Sequence, residues 1–287
     1  MKILLTGRNG QVGWELERAI APLGELFAFD REGLVLGNPA QLASTLREIA
    51  PEIIVNAAAY TAVDRAESEP EAAFAINAQA PGALAESARQ LGALLIHYST
   101  DYVFDGTKAE PYAEGDATHP LSVYGASKLA GEQIIRASGA RHWIFRTSWV
   151  YAPRGKNFLL TMLRLAREGK PLRVIDDQFG APTSAAMIAR ATAQAIARFA
   201  APVAASGLYH MTAAGRTTWH GFACAILREC GLDNPVTPIP TTDYPLPAKR
   251  PANSLLDNSH LAATFGIRLP NWEDGLREAA AALRAES

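Results

Sequence analysis

The chain begins with a short apolar strand that runs directly into three evenly spaced glycines. Lys2 to Thr6 reads KILLT, and Gly7, Gly10 and Gly13 follow in GRNGQVG. At a strand-to-helix turn, the first glycine allows the tight bend, the second lets a pyrophosphate approach backbone N–H groups, and the third permits close helix packing. The spacing is GxxGxxG rather than GxGxxG. The pattern predicts a dinucleotide site, with a tight turn that binds no ligand as the alternative.

Short β-rich runs alternate with longer amphipathic segments through the first half of the chain. This alternation is typical of a parallel sheet with helices on both faces. We predict strands at Lys2 to Thr6, Glu25 to Phe29, Ile53 to Asn56, Leu94 to Ser99 and His142 to Thr147. We predict helices at Gln11 to Leu23, Ala40 to Ala50, Glu69 to Leu91 with a break at Pro81, and Tyr124 to Ser138. The predicted fold class is α/β, with a Rossmann-like doubly wound parallel sheet.

After about residue 150 the alternation becomes less regular. We predict strands at Leu172 to Ile175 and in the segment LYHM, and helices at Phe158 to Glu168, Ala185 to Phe199, Trp219 to Cys230 and Trp272 to Arg284. The expected domains are a dinucleotide-binding Rossmann domain, 1–150, to which about 170–200 return, and a smaller C-terminal substrate-binding lobe over most of 151–287. Prolines are frequent from Pro235 to Pro251, which predicts either an extended path over a cleft or a surface connector.

Composition and charge exclude several classes of partner. The 287 residues carry a net charge of -2, which provides no electrostatic attraction to nucleic acid or to an anionic membrane. The apolar runs are too short or too interrupted by arginine to span a bilayer, and no signal peptide is visible, so we expect a cytoplasmic protein. Cys224 and Cys230 are spaced for neither a disulfide framework nor a metal site, and the 6 histidines form no metal-ligand motif.

A tyrosine and a lysine four residues apart indicate redox chemistry. Tyr124 and Lys128 in YGASK would project from the same face of a helix. A phenol with a pKa of about 10 is a poor proton donor and acceptor at neutral pH unless a nearby cation favours its anion. Thr100 ends the predicted strand LLIHYST, at the edge where open α/β sheets bind ligands. Hydride addition to a carbonyl builds negative charge on oxygen, which a hydroxyl donor and a tuned phenol would stabilise.

This order of strand, hydroxyl, loop and YxxxK helix resembles the short-chain dehydrogenase/reductase superfamily in its longer form. Six segments narrow the resemblance to the dTDP-4-dehydrorhamnose reductase family: NAAAYTAVDRAESEP, STDYVFDG, VYGASKLAGE, FRTSWVY, DQFGAPT and RPANSLLD. They begin at Asn56, Ser99, Val123, Phe145, Asp177 and Arg250. The resemblance implies NAD(P)H-dependent reduction of the C4 keto group of dTDP-4-dehydro-β-L-rhamnose to dTDP-β-L-rhamnose, a precursor of cell-surface polysaccharide.

The resemblance also implies catalytic roles. Tyr124 would donate the proton to the C4 oxygen, and Lys128 would bind the nicotinamide ribose and lower the phenol pKa. Thr100 would hydrogen-bond the carbonyl, with Asp101 beside it near the sugar. The structural alternative is a buried tyrosine and a surface lysine on an ordinary helix.

The cofactor is expected to bind along the edge that the glycine loop opens. The cofactor-binding positions are Gly7, Gly10, Gln11, Val12, Gly13, Asp30, Arg31, Ala59, Tyr60, Thr61, Tyr124 and Lys128. Asp30 ends the second predicted strand, where its carboxylate could accept hydrogen bonds from the adenine ribose of NADH. Arg31 or Arg8 could instead pair with the 2′-phosphate of NADPH. Both cofactors stay open, and a turn or cap role is the alternative for Asp30.

The substrate-binding positions implied by the resemblance are Thr100, Asp101, Tyr124, Trp149, Arg250 and Asn253. Trp149 would pack on the sugar, with simple packing inside the protein as its alternative. Arg250 and Asn253 are candidates to bind the diphosphate or nucleotide end of the substrate. The alternative for these two residues is simple exposure at the surface.

Single residues weigh against neighbouring functions. Sugar-nucleotide 4,6-dehydratases place an acidic pair after the threonine, whereas Asp101 is followed here by Tyr102, which favours reduction. Some members of the reductase family are described as Mg²⁺-bridged homodimers that use glutamates. Glu15 is present, but Ala186 stands at the position where a second glutamate would be expected, so the sequence does not support Mg²⁺. A homodimer stays an expectation. A reductase of another nucleotide-linked 4-ketosugar and a non-catalytic NADP-binding regulatory subunit are the alternative functions.

Overall fold

A six-stranded parallel sheet forms the centre of the computed structural model, which describes residues 1–198 and 206–285. The strands are β1 (Lys2–Thr6), β2 (Glu25–Phe29), β3 (Ile53–Asn56), β4 (Leu94–Thr100), β5 (Arg141–Thr147), β6 (Val150–Tyr151), β7 (Leu172–Ile175), β8 (Phe179–Gly180), β9 (Thr183–Ser184), β10 (Gly207–His210), β11 (Thr217–Thr218) and β12 (Val236–Ile239). The central order is β10-β5-β4-β3-β1-β2, with parallel pairing throughout. The predicted α/β class and Rossmann-like sheet are confirmed.

Helices cover this sheet and continue through the chain after residue 150. They are α1 (Gln11–Ile20), α2 (Pro39–Ile49), α3 (Val63–Ala66), α4 (Pro70–Phe74), α5 (Ala80–Leu91), α6 (Val123–Ala137), α7 (Phe158–Arg167), α8 (Ala185–Ala197), α9 (Trp219–Glu229), α10 (Ser259–Phe265) and α11 (Trp272–Ala285). The longest of them, α6, has 15 residues. Within the described ranges, no helix has the length and apolar character needed to cross a membrane.

Alternating side chains of β1 explain why helices lie on both faces. Ile3 and Leu5 belong to one cluster of buried apolar side chains, whereas Leu4 belongs to another. The first cluster includes residues of α1 and α8, and the second includes residues of α2 and α5. Successive side chains of a strand point to opposite faces, so a continuous apolar run needs a helical layer on each side.

The helical segment predicted from Glu69 to Leu91 is interrupted, as expected, but the break lies just before Pro81, where a π-helical turn at Ala75–Gln79 separates α4 from α5. Pro81 has no N–H to donate to the carbonyl of Asn77, four residues earlier, and the wide turn accommodates this loss. Gly131 of α6 lies against the same carbonyl, since a Cβ there would be 2.1 Å from the Asn77 oxygen. The interrupted helix therefore lets α6 pack closely.

The chain after residue 150 forms three short strand pairs and returns one strand to the central sheet. The pairs are β6 with β9, β7 with β12, and β8 with β11. The predicted LYHM strand is β10, which pairs with β5 at the edge of the central sheet, and α8 packs against α1. The predicted end of that helix, Phe199, lies outside the described residues. The division into domains stays a prediction.

The proline-rich segment follows an extended path that is anchored in two places. Strand β12 pairs in parallel with β7. Further along, the Arg250 guanidinium forms a 2.9 Å ion pair with Asp64 of α3, in the N-terminal half of the chain. These contacts favour an ordered path across the molecule over a plain surface connector.

Candidate active site

The glycine loop joins β1 to α1 and leaves the helix N-terminus open. Gly7 has φ +76°, and a Cβ there would lie 2.7 Å from the backbone nitrogen of Ala58. A Cβ at Gly13 would lie 2.0 Å from the Gly7 oxygen, so packing alone requires both glycines. Gly10 precedes α1 and provides no side-chain cap. The first N–H groups of α1 can therefore bind an anion, as a pyrophosphate site requires.

Asp30 follows β2 and is held by a local turn. Its Oδ1 accepts backbone hydrogen bonds from Gly33 at 2.9 Å and Glu32 at 3.0 Å, and Asn9 donates to Oδ2 at 3.2 Å. The bond from Gly33 is the main reason why the pKa of Asp30 is lowered. The carboxylate thus stabilises the turn after β2. It stays ionised at the end of β2, next to the glycine loop.

The two arginines near Asp30 differ in their availability. Arg8 forms a bidentate pair with Glu17 of α1, with distances of 2.6 and 3.2 Å. Arg31 is exposed. Of these two cations, Arg31 is the one not engaged with a carboxylate at short distance.

The segment after β3 is fixed by the π-helical turn. The backbone N–H of Tyr60 donates to Asn77 Oδ1 at 2.8 Å, and Asn77 Nδ2 donates back to the Tyr60 carbonyl at 3.0 Å. The Tyr60 hydroxyl donates to Glu69, which raises the pKa of the phenol. Ala59 is half-buried and Thr61 is exposed. All three predicted positions follow β3, the strand that pairs with β1.

Thr100 and Tyr124 converge at the carboxyl end of β4. Thr100 Oγ1 donates to Asp101 Oδ1 at 3.1 Å and accepts from the backbone N–H of Tyr102 at 3.2 Å. Gly125 brings the first turn of α6 against the same segment, since a Cβ there would lie 2.2 Å from the Tyr102 oxygen. This close approach places the Tyr124 phenol within hydrogen-bonding reach of Thr100.

The Tyr124 phenol is not tuned by a cation in this structure. Burial raises its pKa to about 12, while Thr100 opposes the shift and the Asp101 carboxyl adds to it. The expected lowering by Lys128 is absent, because the lysine side chain turns towards β4. The phenol is therefore protonated at neutral pH, as a proton donor must be.

Lys128 is buried, which excludes the surface lysine of the structural alternative. Its side chain is 2% exposed. Nζ donates to the Tyr98 carbonyl at 2.5 Å and lies 3.2 Å from His97 Nε2. Burial lowers the pKa of Lys128 to about 8, against an opposing effect of Glu132. The amine can therefore gain or lose its proton close to neutral pH.

Asp101 adds a buried carboxyl to the site. The residue is 3% exposed, and burial raises the pKa of the carboxyl to about 6. Hydrogen bonds from Ser254, Thr100 and Ser148 oppose this rise, so the carboxyl has polar neighbours within the protein. Within residues 1–198 and 206–285, the Ser99 hydroxyl is buried without a hydrogen bond.

Trp149 follows β5 in a backbone conformation that is rare for a large side chain. Its φ is +48°. The indole stacks on Trp219 of α9, with centroids 3.6 Å apart and ring planes at 7°. Gly180 lies against the same indole, since a Cβ there would be 2.5 Å from Cε2. The tryptophan is packed inside the protein and only 9% exposed, so little of its indole is accessible to a ligand.

Arg250 and Asn253 are partly or fully buried rather than solvated at the surface. Arg250 binds both Asp64 oxygens, at 2.9 and 3.2 Å, and donates to the Ala248 carbonyl. Asn253 donates to the carbonyls of Lys108 and Glu110. Both side chains tie the proline-rich segment to loops beside the site.

Three side chains of the site region were missed at the sequence level. Trp219 supports Trp149, while Asn56 and His97 lie in the sheet behind Lys128. The signal for the last two is a polar residue inside or at the end of an apolar strand, in IIVN and LLIHYST. Among the described residues, no group of three His, Cys, Asp or Glu side chains could hold a metal ion.

A glycine-loop Rossmann sheet with a threonine and a YxxxK tyrosine at its carboxyl edge is typical of short-chain dehydrogenase/reductase enzymes. A family model described as "RmlD substrate binding domain" matches residues 1–285, and the chain belongs to this family. A dTDP-4-dehydrorhamnose reductase of Burkholderia thailandensis is 52% identical over 284 residues, 95% of each chain. The enzyme of that name from Escherichia coli K12 is 51% identical over 287 residues, 96% of each chain. The predicted resemblance is confirmed.

Solved structures lead to the same family. A crystal structure of a dTDP-4-dehydrorhamnose reductase from Clostridium acetobutylicum has a TM-score of 0.94 and 38% identity, and covers 99% of this chain and 100% of that one. The structure of the enzyme from Bacillus anthracis in complex with NADP has a TM-score of 0.93 and 35% identity, with coverage of 98% and 99%.

Proposed function

We propose that this protein reduces the C4 keto group of dTDP-4-dehydro-β-L-rhamnose to dTDP-β-L-rhamnose, with NADPH or NADH as hydride donor. The observation that carries the proposal is the half-buried, protonated Tyr124 phenol beside Thr100, at the sheet edge next to the glycine loop. Full-length similarity to relatives named dTDP-4-dehydrorhamnose reductase supports the substrate. The NADP complex of the Bacillus anthracis relative supports the cofactor.

The residues of the glycine loop fit such a cofactor. Gly10, Gln11 and Val12 would hold the pyrophosphate at the uncapped N-terminus of α1. Asp30 and Arg31 would meet the adenine ribose, and the positions after β3, together with Tyr124 and Lys128, would border the rest. The bound cofactor would supply the hydride.

The protein itself supplies the proton and stabilises the developing charge. Tyr124 donates its phenolic proton to the substrate oxygen as negative charge builds there. Thr100, whose hydroxyl donates to Asp101 in this structure, can redirect that hydrogen bond to the same oxygen. The Asp101 carboxyl, released by Thr100, could then accept a hydrogen bond from a sugar hydroxyl.

The remaining substrate contacts are also proposals. Trp149 would border the sugar with the part of its indole that Trp219 and Gly180 leave accessible. Arg250 and Asn253 would act at the diphosphate or nucleotide end, where Arg250 would have to share or exchange its partner Asp64. A homodimer and a cytoplasmic location stay predictions, which sedimentation analysis and cell fractionation would test.

Turnover by purified protein tests the function. We expect oxidation of NADPH or NADH that depends on dTDP-4-dehydro-β-L-rhamnose, with dTDP-β-L-rhamnose as the product. A panel of other nucleotide-linked 4-ketosugars defines the specificity. Cofactor binding without oxidation at saturating substrate would overturn the proposal and favour a regulatory subunit.

A Gly10→Ala variant is expected to fold and to bind the cofactor roughly tenfold or more weakly. A Cβ at Gly10 would meet the Gly7 oxygen at 3.2 Å, which small shifts relieve, yet it would project where the pyrophosphate approaches. The matched control is Gly37→Ala, where a Cβ would meet no described atom within 4 Å. Calorimetric titration with NADPH and NADH measures both. Equal affinities in the two variants would remove Gly10 from the site.

A further inference from the structure

Three polar side chains lie at one level across neighbouring strands behind the candidate site. In the parallel register, Thr6 of β1 is opposite Asn56 of β3, and Asn56 is opposite His97 of β4. Their exposed fractions are 2%, 1% and 0%. The side chains point to one face of the sheet, where α6 presents Lys128. Polar groups buried this deeply must satisfy one another.

The four side chains form a continuous hydrogen-bond chain. Thr6 Oγ1 donates to Asn56 Oδ1 at 2.7 Å. Asn56 Nδ2 lies 3.0 Å from His97 Nδ1, and His97 Nε2 lies 3.2 Å from Lys128 Nζ. Thr6 directly precedes Gly7, so the chain runs from the start of the glycine loop to the lysine.

With the Asn56 amide oriented as it is here, the hydrogen bonds fit a neutral lysine. Asn56 presents its NH₂ group to the ring, so His97 Nδ1 must accept. A neutral imidazole then carries its proton on Nε2 and donates it to Lys128 Nζ. An ammonium has no lone pair, so only the neutral amine can accept this bond.

A protonated lysine requires the reverse direction. The ammonium must donate to His97 Nε2, which moves the ring proton to Nδ1. Asn56 must then turn its amide so that the oxygen accepts from Nδ1 and the NH₂ group faces Thr6. The ring cannot simply carry both protons, because burial, and then Lys128, lower the pKa of His97.

We propose that His97 is a positioning residue for Lys128, and that Thr6, Asn56 and His97 form a relay whose hydrogen bonds reverse when Lys128 gains or loses its proton. The relay holds Nζ against the Tyr98 carbonyl in both states. It also links the charge of Lys128 to the residue that precedes the glycine loop. The link to catalysis rests on the proposed function, through Lys128, whereas the relay itself does not.

The surroundings of Lys128 are consistent with a proton that moves near neutral pH. His97 and Tyr98 of β4 contact the Lys128 amine, and Tyr124 lies one turn earlier on α6. Glu132 of the same helix acts on Lys128 through its charge, and Arg146 of β5 binds Glu132. Glu132 raises the pKa of Lys128, but burial outweighs it. Arg146 holds the Glu132 carboxylate at 2.6 Å and so weakens its pull on the lysine.

Nuclear magnetic resonance of the cofactor-free protein tests the relay. The chain has six lysines and 6 histidines, so ¹³C-lysine and ¹⁵N-histidine spectra can be assigned with single variants. We expect the Lys128 Cε signal to titrate with a midpoint near pH 8. Over the same range, His97 should change from the Nδ1–H tautomer at low pH to the Nε2–H tautomer at high pH. One tautomer on both sides of the lysine titration would overturn the relay.

A pair of conservative variants tests the positioning role. His97→Gln keeps an amide oxygen near the place of Nε2, whereas His97→Asn keeps polar atoms near the place of Nδ1 only. In His97→Asn we expect the Lys128 midpoint to fall by about one pH unit or more, because a buried ammonium loses an acceptor. His97→Gln should restore most of the wild-type value. Equal midpoints in wild-type protein and His97→Asn would overturn the assignment.

The enzyme assay separates this inference from the proposed function. If the wild-type protein reduces the ketosugar, the high-pH limb of kcat/KM should move down in His97→Asn together with the lysine midpoint, and return in His97→Gln. A wild-type protein that does not turn over would overturn the proposed function, while the spectra of the cofactor-free protein still decide the relay. If the Lys128 midpoint moves in His97→Asn while the high-pH limb of the kcat/KM profile stays in place, the link to catalysis is overturned.

Discussion

A Tyr124→Phe variant is expected to lose about 10²-fold or more in kcat while it keeps the cofactor affinity of the wild-type protein. The substitution removes the one proton that the half-buried phenol can donate, and leaves the ring and the backbone of α6 in place. Rapid-mixing measurements of NAD(P)H oxidation at saturating ketosugar give kcat. Fluorescence titration of the cofactor gives its affinity.

The control for Tyr124 is the buried phenol of Tyr98. Tyr98 lies on β4 and its hydroxyl is 2.7 Å from Thr192, on α8. Tyr98→Phe should cost about 1 kcal/mol of stability, the usual contribution of a hydrogen bond, and leave kcat within a few-fold of the wild type. A similar loss of kcat in both variants would mean that the effect is structural. Unchanged turnover in Tyr124→Phe would remove the phenol from the mechanism.

The sheet was predictable because its strands are apolar runs bounded by polar or turn residues. The bounds of β1, β2 and β3 match the prediction, and β4 and β5 each extend by one residue. Short apolar runs of four to seven residues fit buried parallel strands, and their length argues against buried helices. The break near Pro81 was also visible, but its form was not. A π-helical turn depends on how closely Gly131 of α6 approaches, which is a tertiary contact.

The residues of the candidate site were easier to predict than their protonation states. Spacing placed Tyr124 and Lys128 on one helical face, but a lysine side chain is long, and His97 and the Tyr98 carbonyl decide where its end lies. Burial then sets the phenol pKa in the direction opposite to the one expected. Burial is a property of the folded molecule, so the sequence names the residues and the fold sets their protonation.

Arg146→Met is expected to lower the free energy of unfolding by roughly 3 to 5 kcal/mol. Arg146 of β5 donates to both oxygens of Glu132, at 2.9 and 2.6 Å, and the two side chains are 2% and 1% exposed. Methionine has a similar apolar reach but leaves the carboxylate buried without its partner. Urea unfolding followed by circular dichroism measures the loss, provided that the slope with urea stays unchanged.

The matched control is the same substitution in an exposed ion pair. Arg190 of α8 binds Glu278 of α11 at 2.8 Å, with side chains 48% and 55% exposed, so Arg190→Met should cost at most about 1 kcal/mol. The double variant Glu132→Gln with Arg146→Met should recover part of the loss, because the stranded charge is gone. Equal losses of unfolding free energy for Arg146→Met and Arg190→Met would show that burial does not increase the cost of breaking an ion pair. Since Glu132 also raises the pKa of Lys128, freeing it from Arg146 should move the lysine midpoint up, which ties the stability of this pair to the protonation of the site.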